Sequence, residues 1–381
     1  MKHLPFNKPH LTGHETSLLQ EAVATGKISG NGMFTKKCHT LLEALTRTPK
    51  ALLTTSCTDA LEMCAILMDI QDGDEVIMPS FTFVSTANAF ILRGAKIVFV
   101  DSRSDHPGMD EDKVAELITS RTKAIVAVHY AGVACDMQKL KTIADMHALF
   151  LVEDAAQAIC SYFKWPDGSK QPLGSIGQLG ALSFHETKNI QCGEGGALLI
   201  NSKDFEKRAE IIWEKGTNRT AFWRGEVDKY GWVDIGSSFL PSELSSAFLF
   251  AQLENADAIQ ARRLEIWNRY YEGLGADMLS GTARLPHIPD FATNNAHMFY
   301  LICSSEQERT DLIAHLKAED IHAVFHYQSL HASPYFKDKH DGRPLPWSDT
   351  YSMCLVRLPL HLHLTNEDVD RVVHAIKRFY G

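Results

Sequence analysis

An α/β fold, with a mainly parallel seven-stranded sheet under flanking helices, is predicted by three features of this sequence. Seven short apolar runs fall at residues 51–53, 75–78, 96–100, 124–128, 149–152, 180–184 and 197–200. They lack the polar alternation of a half-exposed strand, which marks strands covered on both faces. Most intervals between them have helix length and helical spacing. Leu61, Cys64, Ala65 and Met68 fall at i, i+3, i+4 and i+7, and Leu140, Ile143 and Ala144 repeat the pattern. Beyond about residue 200 the texture changes to longer helical patterns with two further short strands, which predicts a smaller C-terminal α/β domain.

Taken in order, residues 1–50 form a lead-in. A helical pattern covers 16–25, and Gly26, Gly30 and Gly32 then mark a turn or a loop passing close to another part of the chain. A second helix is expected from near Phe34, with Leu41, Leu42 and Leu45 on one side. After the alternating region, 204–213 and 243–263 read as helices with a charged, aromatic-rich loop between them. Residues 298–303 and 323–326 read as strands. Thr365 and Asp368 form a capping box for a last helix with Val369, Val372, Val373 and Ile376 on one face. The expected division is a large domain over 1–250 and a small one over 251–381, the junction lying within a long helix.

A chain of 381 residues is long enough for two cores. A net charge of -9 argues against a nucleic-acid surface, which needs clustered Lys and Arg. The eight cysteines are scattered with no Cys-x-x-Cys pair, the usage of a reducing compartment rather than of disulfides or structural zinc. No leader pattern and no bilayer-length apolar run occurs, so a cytoplasmic location is expected and no metal site.

In sheets of this kind ligands sit beyond the carboxyl ends of the strands, and four such ends carry chemistry. The segment Ser56-Cys57-Thr58 opens an amphipathic helix and can hold an anion, although a plain helix cap reads the same way. Phe83, after Ser80 and Thr82, can stack on a flat ring, where a lone Phe is ordinarily core. Asp154 ends a buried run and seeks a cation, which an ion pair within the protein would also satisfy. Lys188 follows Ser183 between two buried strands. It is either an exposed loop lysine or an amine made nucleophilic by desolvation.

Together these four ends hold an anion site, an aromatic shelf, an acid and an amine, a set that fits pyridoxal phosphate (PLP) better than other common cofactors. A nicotinamide site would need Gly-x-Gly-x-x-Gly after the first strand. Gly193-Glu194-Gly195-Gly196 comes too late and leads into a strand. No P-loop and no His-Glu-x-x-His motif is present, and His185 is assigned a structural or supporting part.

These residues, with the segments 73–80, 83–89, 128–135, 183–188, 214–219, 234–238, 296–300 and 323–327, resemble the DegT/StrS group of sugar-nucleotide aminotransferases, which are fold-type I PLP-dependent enzymes. The resemblance implies that Lys188 carries the cofactor covalently and moves protons. It implies that Asp154 pairs with the ring nitrogen, Gln157 meets the ring hydroxyl and Phe83 stacks on the ring. Cys57, Thr58, Asp59 and Ser183 would surround the phosphate, the first three mainly through backbone amides.

The group works as a homodimer in which a partner's asparagine, in a Gly-x-Asn-Tyr-Arg motif, reaches the phosphate. Here Ser238 stands at the asparagine position and Leu240 at the arginine position. Arg219, His326, Tyr327 and His331 fall in segments resembling substrate-facing loops, and residues 30–34 would line the nucleotide entrance.

The implied reaction moves an amino group from L-glutamate to C4 of a dTDP-linked ketosugar, dTDP-4-keto-6-deoxy-D-glucose. Its products are dTDP-4-amino-4,6-dideoxy-D-galactose and 2-oxoglutarate. Amination at C3 would use the same cofactor residues. Relatives with histidine in place of the lysine dehydrate sugars, which Lys188 argues against, and a ligand-binding sensor would tolerate loss of Lys188 or Asp154.

Overall fold

The structure is a computed structural model that describes residues 2–275 and 283–381. Its large unit is built on strands β1 (Lys50–Thr54), β2 (Glu75–Pro79), β3 (Lys96–Val100), β4 (Thr122–Val128) and β5 (Phe150–Asp154). A hairpin of β6 (Tyr162–Lys164) and β7 (Lys170–Pro172) follows, then β8 (Leu179–Ser183) and β9 (Gly196–Ile200). The seven-stranded sheet has the order β1-β9-β8-β5-β4-β2-β3. Only β9 opposes its neighbours, so all the other strands of the sheet run the same way.

Each apolar run of the sequence is a strand whose alternate residues enter two separate cores. Leu53, Ile77, Ile125, Leu151 and Leu199 pack on one face, and Leu52, Val76, Val126, Val152 and Leu198 on the other. This is why the strands show no polar alternation.

The helices of this unit are α1 (Glu15–Ala24), α2 (Met33–Thr46), α3 (Cys57–Leu67), α4 (Val84–Ile91), α5 (Met137–His147), α6 (Lys203–Trp213), α7 (Arg219–Trp223) and α8 (Glu243–Glu254). Buried residues of α2, α5 and α8 fill the first core (Leu42, Leu140 and Leu249), and those of α3, α4 and α6 fill the second (Leu61, Phe90 and Ile212).

The lead-in belongs to this body. The buried Glu243 carboxylate accepts from the amides of Gly32 (2.9 Å), Phe34 (2.7 Å) and Thr35 (3.1 Å) and from the Thr35 hydroxyl. A β-carbon on Gly32 would lie 2.5 Å from Glu243 Cδ, so the glycine permits the approach. Residues 30–34 are therefore held against the start of α8 and do not reach this chain's cavity, contrary to the expectation that they line a nucleotide entrance.

The helix expected over 243–263 is two helices. Asn255 leaves helical geometry between α8 and α9 (Ala256–Leu274), and its Nδ2 donates to Ala251 O at 2.9 Å. The small sheet has the order β10-β12-β11, from β10 (Phe299–Ile302), β11 (Val324–Phe325) and β12 (Leu355–Leu358). Helices α9, α10 (Glu306–Ala318) and α12 (Asn366–Tyr380) pack on it, and α11 (Pro346–Cys354) leads into β12.

The capping box of α12 is present, with Val369, Val372, Val373 and Ile376 buried in this third core. Leu4 is buried there too: its backbone bonds to Asp320 O and His322 N, both at 2.9 Å. Within the lead-in, Leu4 thus packs on the small unit, whereas residues 32–35 are held on the large one. Among the described residues no helix is long and apolar enough to cross a membrane.

Candidate active site

The carboxyl ends of β1, β4, β5 and β8 and the loop after β2 open into a cavity of about 490 Å³, which residues of the small sheet close from above. That volume suits a small cofactor with a substrate group beside it.

At the end of β1, Ser56 caps α3 by accepting the Asp59 amide at 3.1 Å. The hydroxyls of Thr55 and Ser56 donate back to the Asp59 carboxylate. Cys57 and Thr58 are the first two helical residues, and their amides have no intrahelical acceptor. Both residues line the cavity, as do Ser85 and Ser183, and Thr58 Oγ1 donates to Ser85 Oγ at 2.8 Å. Two free amides at a helix N-terminus with three hydroxyls form an anion cradle. Asp59, which the resemblance places at the phosphate, is not part of it, because its amide and carboxylate are both consumed by the cap.

Gly196, paired with Thr54, passes directly beneath this turn. A β-carbon there would sit 2.4 Å from Cys57 N and from Ser56 C. Gly196→Ala should therefore push the Cys57 amide out of place. It should lower stability by about 1–3 kcal/mol and weaken binding of PLP, as denaturant titration and cofactor titration would show.

Asp154, at the end of β5, is buried and oriented by two donors. These are Thr86 Oγ1 at 2.7 Å and the Ala156 amide at 3.2 Å. Thr86 is set by Thr82, four residues earlier in the loop before α4, at 2.9 Å. Among the described residues no cation pairs with this carboxylate, so its chemistry calls for a cationic ligand. Directly beside it, Glu153 accepts the amides of Gly174, Ile176 and Gly177 and lies 2.9 Å from His129 Nε2. Only one of the two adjacent acids is therefore left for a ligand.

Gln157 Oε1 accepts from the Ala131 amide at 2.6 Å, and its Nε2 donates to the Tyr327 hydroxyl at 3.0 Å. Phe83, the extended residue just before α4, lies at the cavity wall and is 54% exposed, which excludes a core role. Its ring lies 5.9 Å from that of Tyr327.

Lys188 leaves β8 through a turn in which its amide bonds to His185 O at 2.8 Å, and its side chain reaches the cavity. Burial lowers its pKa, partly offset by Cys57 and Asp154. That shift raises the neutral, nucleophilic fraction. His185 sits at the rim with Nδ1 2.9 Å from Thr187 Oγ1.

The small unit contributes His326, expected from the resemblance, and further groups that no local motif announced. His297 Nδ1 is 3.0 Å from Asn189 Oδ1, which can only accept, so this nitrogen carries the hydrogen. Burial depresses the His297 pKa strongly, and Lys188, Arg263 and Arg357 add to the effect. His326 is likewise held neutral, chiefly by burial; it meets Tyr130 OH at 2.6 Å and stacks on Tyr327 at 3.6 Å. Arg357 on β12 and Phe6 from the N-terminal segment complete the wall.

Three predicted site residues lie elsewhere. Arg219 opens α7 and is exposed. His331 is tied to Ser80 Oγ at 2.7 Å and lies 3.5 Å from Asp349, which takes it out of the cavity. Ser238 pairs with Glu214 in an isolated bridge and is exposed, so it could reach a cofactor only in a second copy of the chain. The structure brings together Cys57, Thr58, Phe83, Asp154, Gln157, Ser183, Lys188, His326 and Tyr327. Anion cradle, aromatic face, unpaired acid and buried amine fit PLP.

The model of the DegT/DnrJ/EryC1/StrS aminotransferase family matches residues 9–377. Among solved structures, Spr1654 of Streptococcus pneumoniae, named a sugar aminotransferase, is 25% identical in its PLP form. It has a TM-score of 0.89 over 100% of this chain and 99% of that one. The same protein is also similar in its PMP form, with 26% identity and a TM-score of 0.89 over 100% and 98%. DesV of S. venezuelae, in complex with a ketimine intermediate, is 27% identical with a TM-score of 0.89 over 100% and 99%. With fold, cavity and end-to-end likeness in agreement, the chain belongs to the DegT/DnrJ/EryC1/StrS aminotransferase family and is a PLP-dependent sugar aminotransferase.

Proposed function

We propose that the enzyme transfers the amino group of L-glutamate to C4 of dTDP-4-keto-6-deoxy-D-glucose, giving dTDP-4-amino-4,6-dideoxy-D-galactose and 2-oxoglutarate. The observation that carries the amino-transfer chemistry is one cavity lined both by the Lys188 amine and by the buried Asp154 carboxylate, which no cation pairs with among the described residues. The choice of sugar and donor is supported by the sequence segments that resemble sugar-nucleotide aminotransferases.

Bound PLP supplies an aldehyde that takes up the amino group and a ring that accepts an electron pair. Cys57 and Thr58 amides, with the Thr58, Ser85 and Ser183 hydroxyls, would hold its phosphate, and Phe83 would stack on its ring. Asp154 would hold a proton on the ring nitrogen, which would keep the ring a good electron acceptor. Lys188, its pKa lowered by burial, takes the proton from the α-carbon of the donor and returns one in the opposite half of the cycle. Gln157 and Tyr327, bonded to each other, fix the side of the cavity between the large and small units.

A second copy of the chain completes the site in this reading. Its support is the segment around Ser238, which exposes Trp223 (71%) and Trp232 (84%) and would bury them in a homodimer.

The test is incubation with dTDP-4-keto-6-deoxyglucose and L-glutamate, with mass spectrometry of the product and NMR to place the nitrogen. Nitrogen on C4 in the galacto configuration is expected. Turnover of the 3-keto isomer alone would move the assignment to C3, and no turnover of either ketosugar would favour a ligand sensor.

A further inference from the structure

We propose that His297, with Asn189 as its positioning residue, selects the ketosugar by accepting a hydrogen bond from the hydroxyl on C3, the ring carbon next to C4. The inference rests on the reading above, in which a C4 ketosugar takes up the amino group. His297 lines the same cavity as Lys188. Its ring is held in one tautomer by side chains that each have a single workable orientation. Gln260 Nε2 donates to Asn295 O at 2.7 Å, which turns its Oε1 towards Asn189. Asn189 Nδ2 donates to that Oε1 at 3.3 Å and to Asn295 O at 2.8 Å. Only Asn189 Oδ1 is then left for His297 Nδ1, so the hydrogen is on Nδ1 and Nε2 carries a lone pair.

His297 as a whole is buried, but its Nε2 has no partner among the described residues and keeps some accessible surface. The backbone is fixed on both sides. The His297 amide donates to Asn295 Oδ1 at 3.0 Å, and the carbonyls of His297 and Ala296 accept from Arg263 at 2.7 and 3.0 Å. Asn189 directly follows Lys188, so the residue beside the reacting amine sets the tautomer.

Burial keeps the ring neutral, and the charges of Lys188, Arg263 and Arg357 reinforce it. Nε2 can therefore accept but not donate, which decides the group it meets. The carboxylates of glutamate only accept, and its one donor, the amino group, is the group transferred. The cofactor's phosphate and ring nitrogen have the cradle and Asp154. The ketosugar is left, with hydroxyls that donate. Of the two ring neighbours of C4, only C3 carries a hydroxyl, since C5 carries the methyl carbon. Lys188 works at C4, and His297 lies close enough to feel its charge. A site with a built-in acceptor rejects an analogue that lacks the matching hydroxyl, because the acceptor is then left unpaired.

The test follows recovery of the yellow band from the PMP form by the ketosugar or by its 3-deoxy analogue. Wild type, His297→Phe and Asn189→Ala are compared, each variant first shown to keep a wild-type melting curve. Bleaching of the PLP form by L-glutamate is followed separately. In the wild type, the ratio of rate to half-saturating concentration should be about 10- to 100-fold lower for the 3-deoxy analogue. His297→Phe should lose a similar factor on the parent ketosugar and should no longer tell the two apart. Asn189→Ala, which leaves the tautomer unfixed, should fall between. Calorimetric binding of unreactive dTDP-6-deoxy-D-glucose should weaken in parallel, and bleaching by glutamate should change little. Equal use of the two ketosugars by the wild type would overturn the assignment, and that comparison needs no variant to fold. Undiminished discrimination in His297→Phe, or a loss centred on the glutamate half, would overturn it as well. If glutamate bleaches the wild type but the ketosugar restores no band, the C4-ketosugar reading fails instead and this inference falls with it.

Discussion

Lys188→Ala should lower the amino-transfer rate on the order of 10⁴-fold, since it removes the group that both anchors the cofactor and moves the proton. The variant should fold. Lys188 forms no ion pair among the described residues, and its backbone bond to His185 O does not involve the side chain. Replacing the amine also removes a buried cation whose burial is unfavourable, so stability should be unchanged or slightly higher. The purified variant should hold PLP only reversibly, losing it on gel filtration while the wild type stays yellow. Stopped-flow kinetics with saturating PLP would separate lost affinity from lost chemistry.

Asp154→Asn should lower the rate about 10- to 10³-fold, because an opposite charge beside a titrating group moves its pKa by roughly 1–3 units. With Asn the ring nitrogen loses its anionic partner, its pKa falls, and the protonated fraction at neutral pH falls with it. The loss should therefore be smaller at low pH, where the ring nitrogen is protonated without help. An Asn side chain still accepts one of the two hydrogen bonds that Thr86 and Ala156 now donate. The loss should thus appear in the chemical step and its pH profile, with the melting temperature little changed. A pH-independent loss would mean that the carboxylate acts by position alone.

Much of the fold is legible in the sequence because burial on both faces turns each strand into an unbroken apolar run, as at 196–200. The β6–β7 hairpin escaped notice for the converse reason. Tyr162-Phe-Lys and Lys170-Gln-Pro are short and polar, and only Phe163 and Pro172 are buried. The break at Asn255 is hidden because its flanking residues continue the helical pattern and the interruption is a single side-chain-capped residue.

Within the site, Lys188, Asp154, Cys57 and Thr58 are readable from one local rule, that ligands gather at the carboxyl ends of parallel strands. The resemblance places Asp59 at the phosphate, but Ser56-x-x-Asp59 before an apolar run is a capping pattern, which spends both partners on the helix. Thr86 could have been found from its place four residues after Thr82. His297, Arg357 and Phe6 reach the cavity through packing of the small sheet and the N-terminal segment, and no local pattern encodes contacts across such separations. Arg219, His331 and Ser238 came from the resemblance alone. His331 is instead consumed by Ser80, a partner far away in sequence.

The central claim is that one buried amine carries the cofactor opposite an unpaired acid. It is tested most directly by reducing the yellow holoenzyme with borohydride and mapping the modified peptide by mass spectrometry. The account predicts one phosphopyridoxyl adduct per chain, on Lys188. A colourless protein after PLP loading, or an adduct on any other lysine, would contradict it.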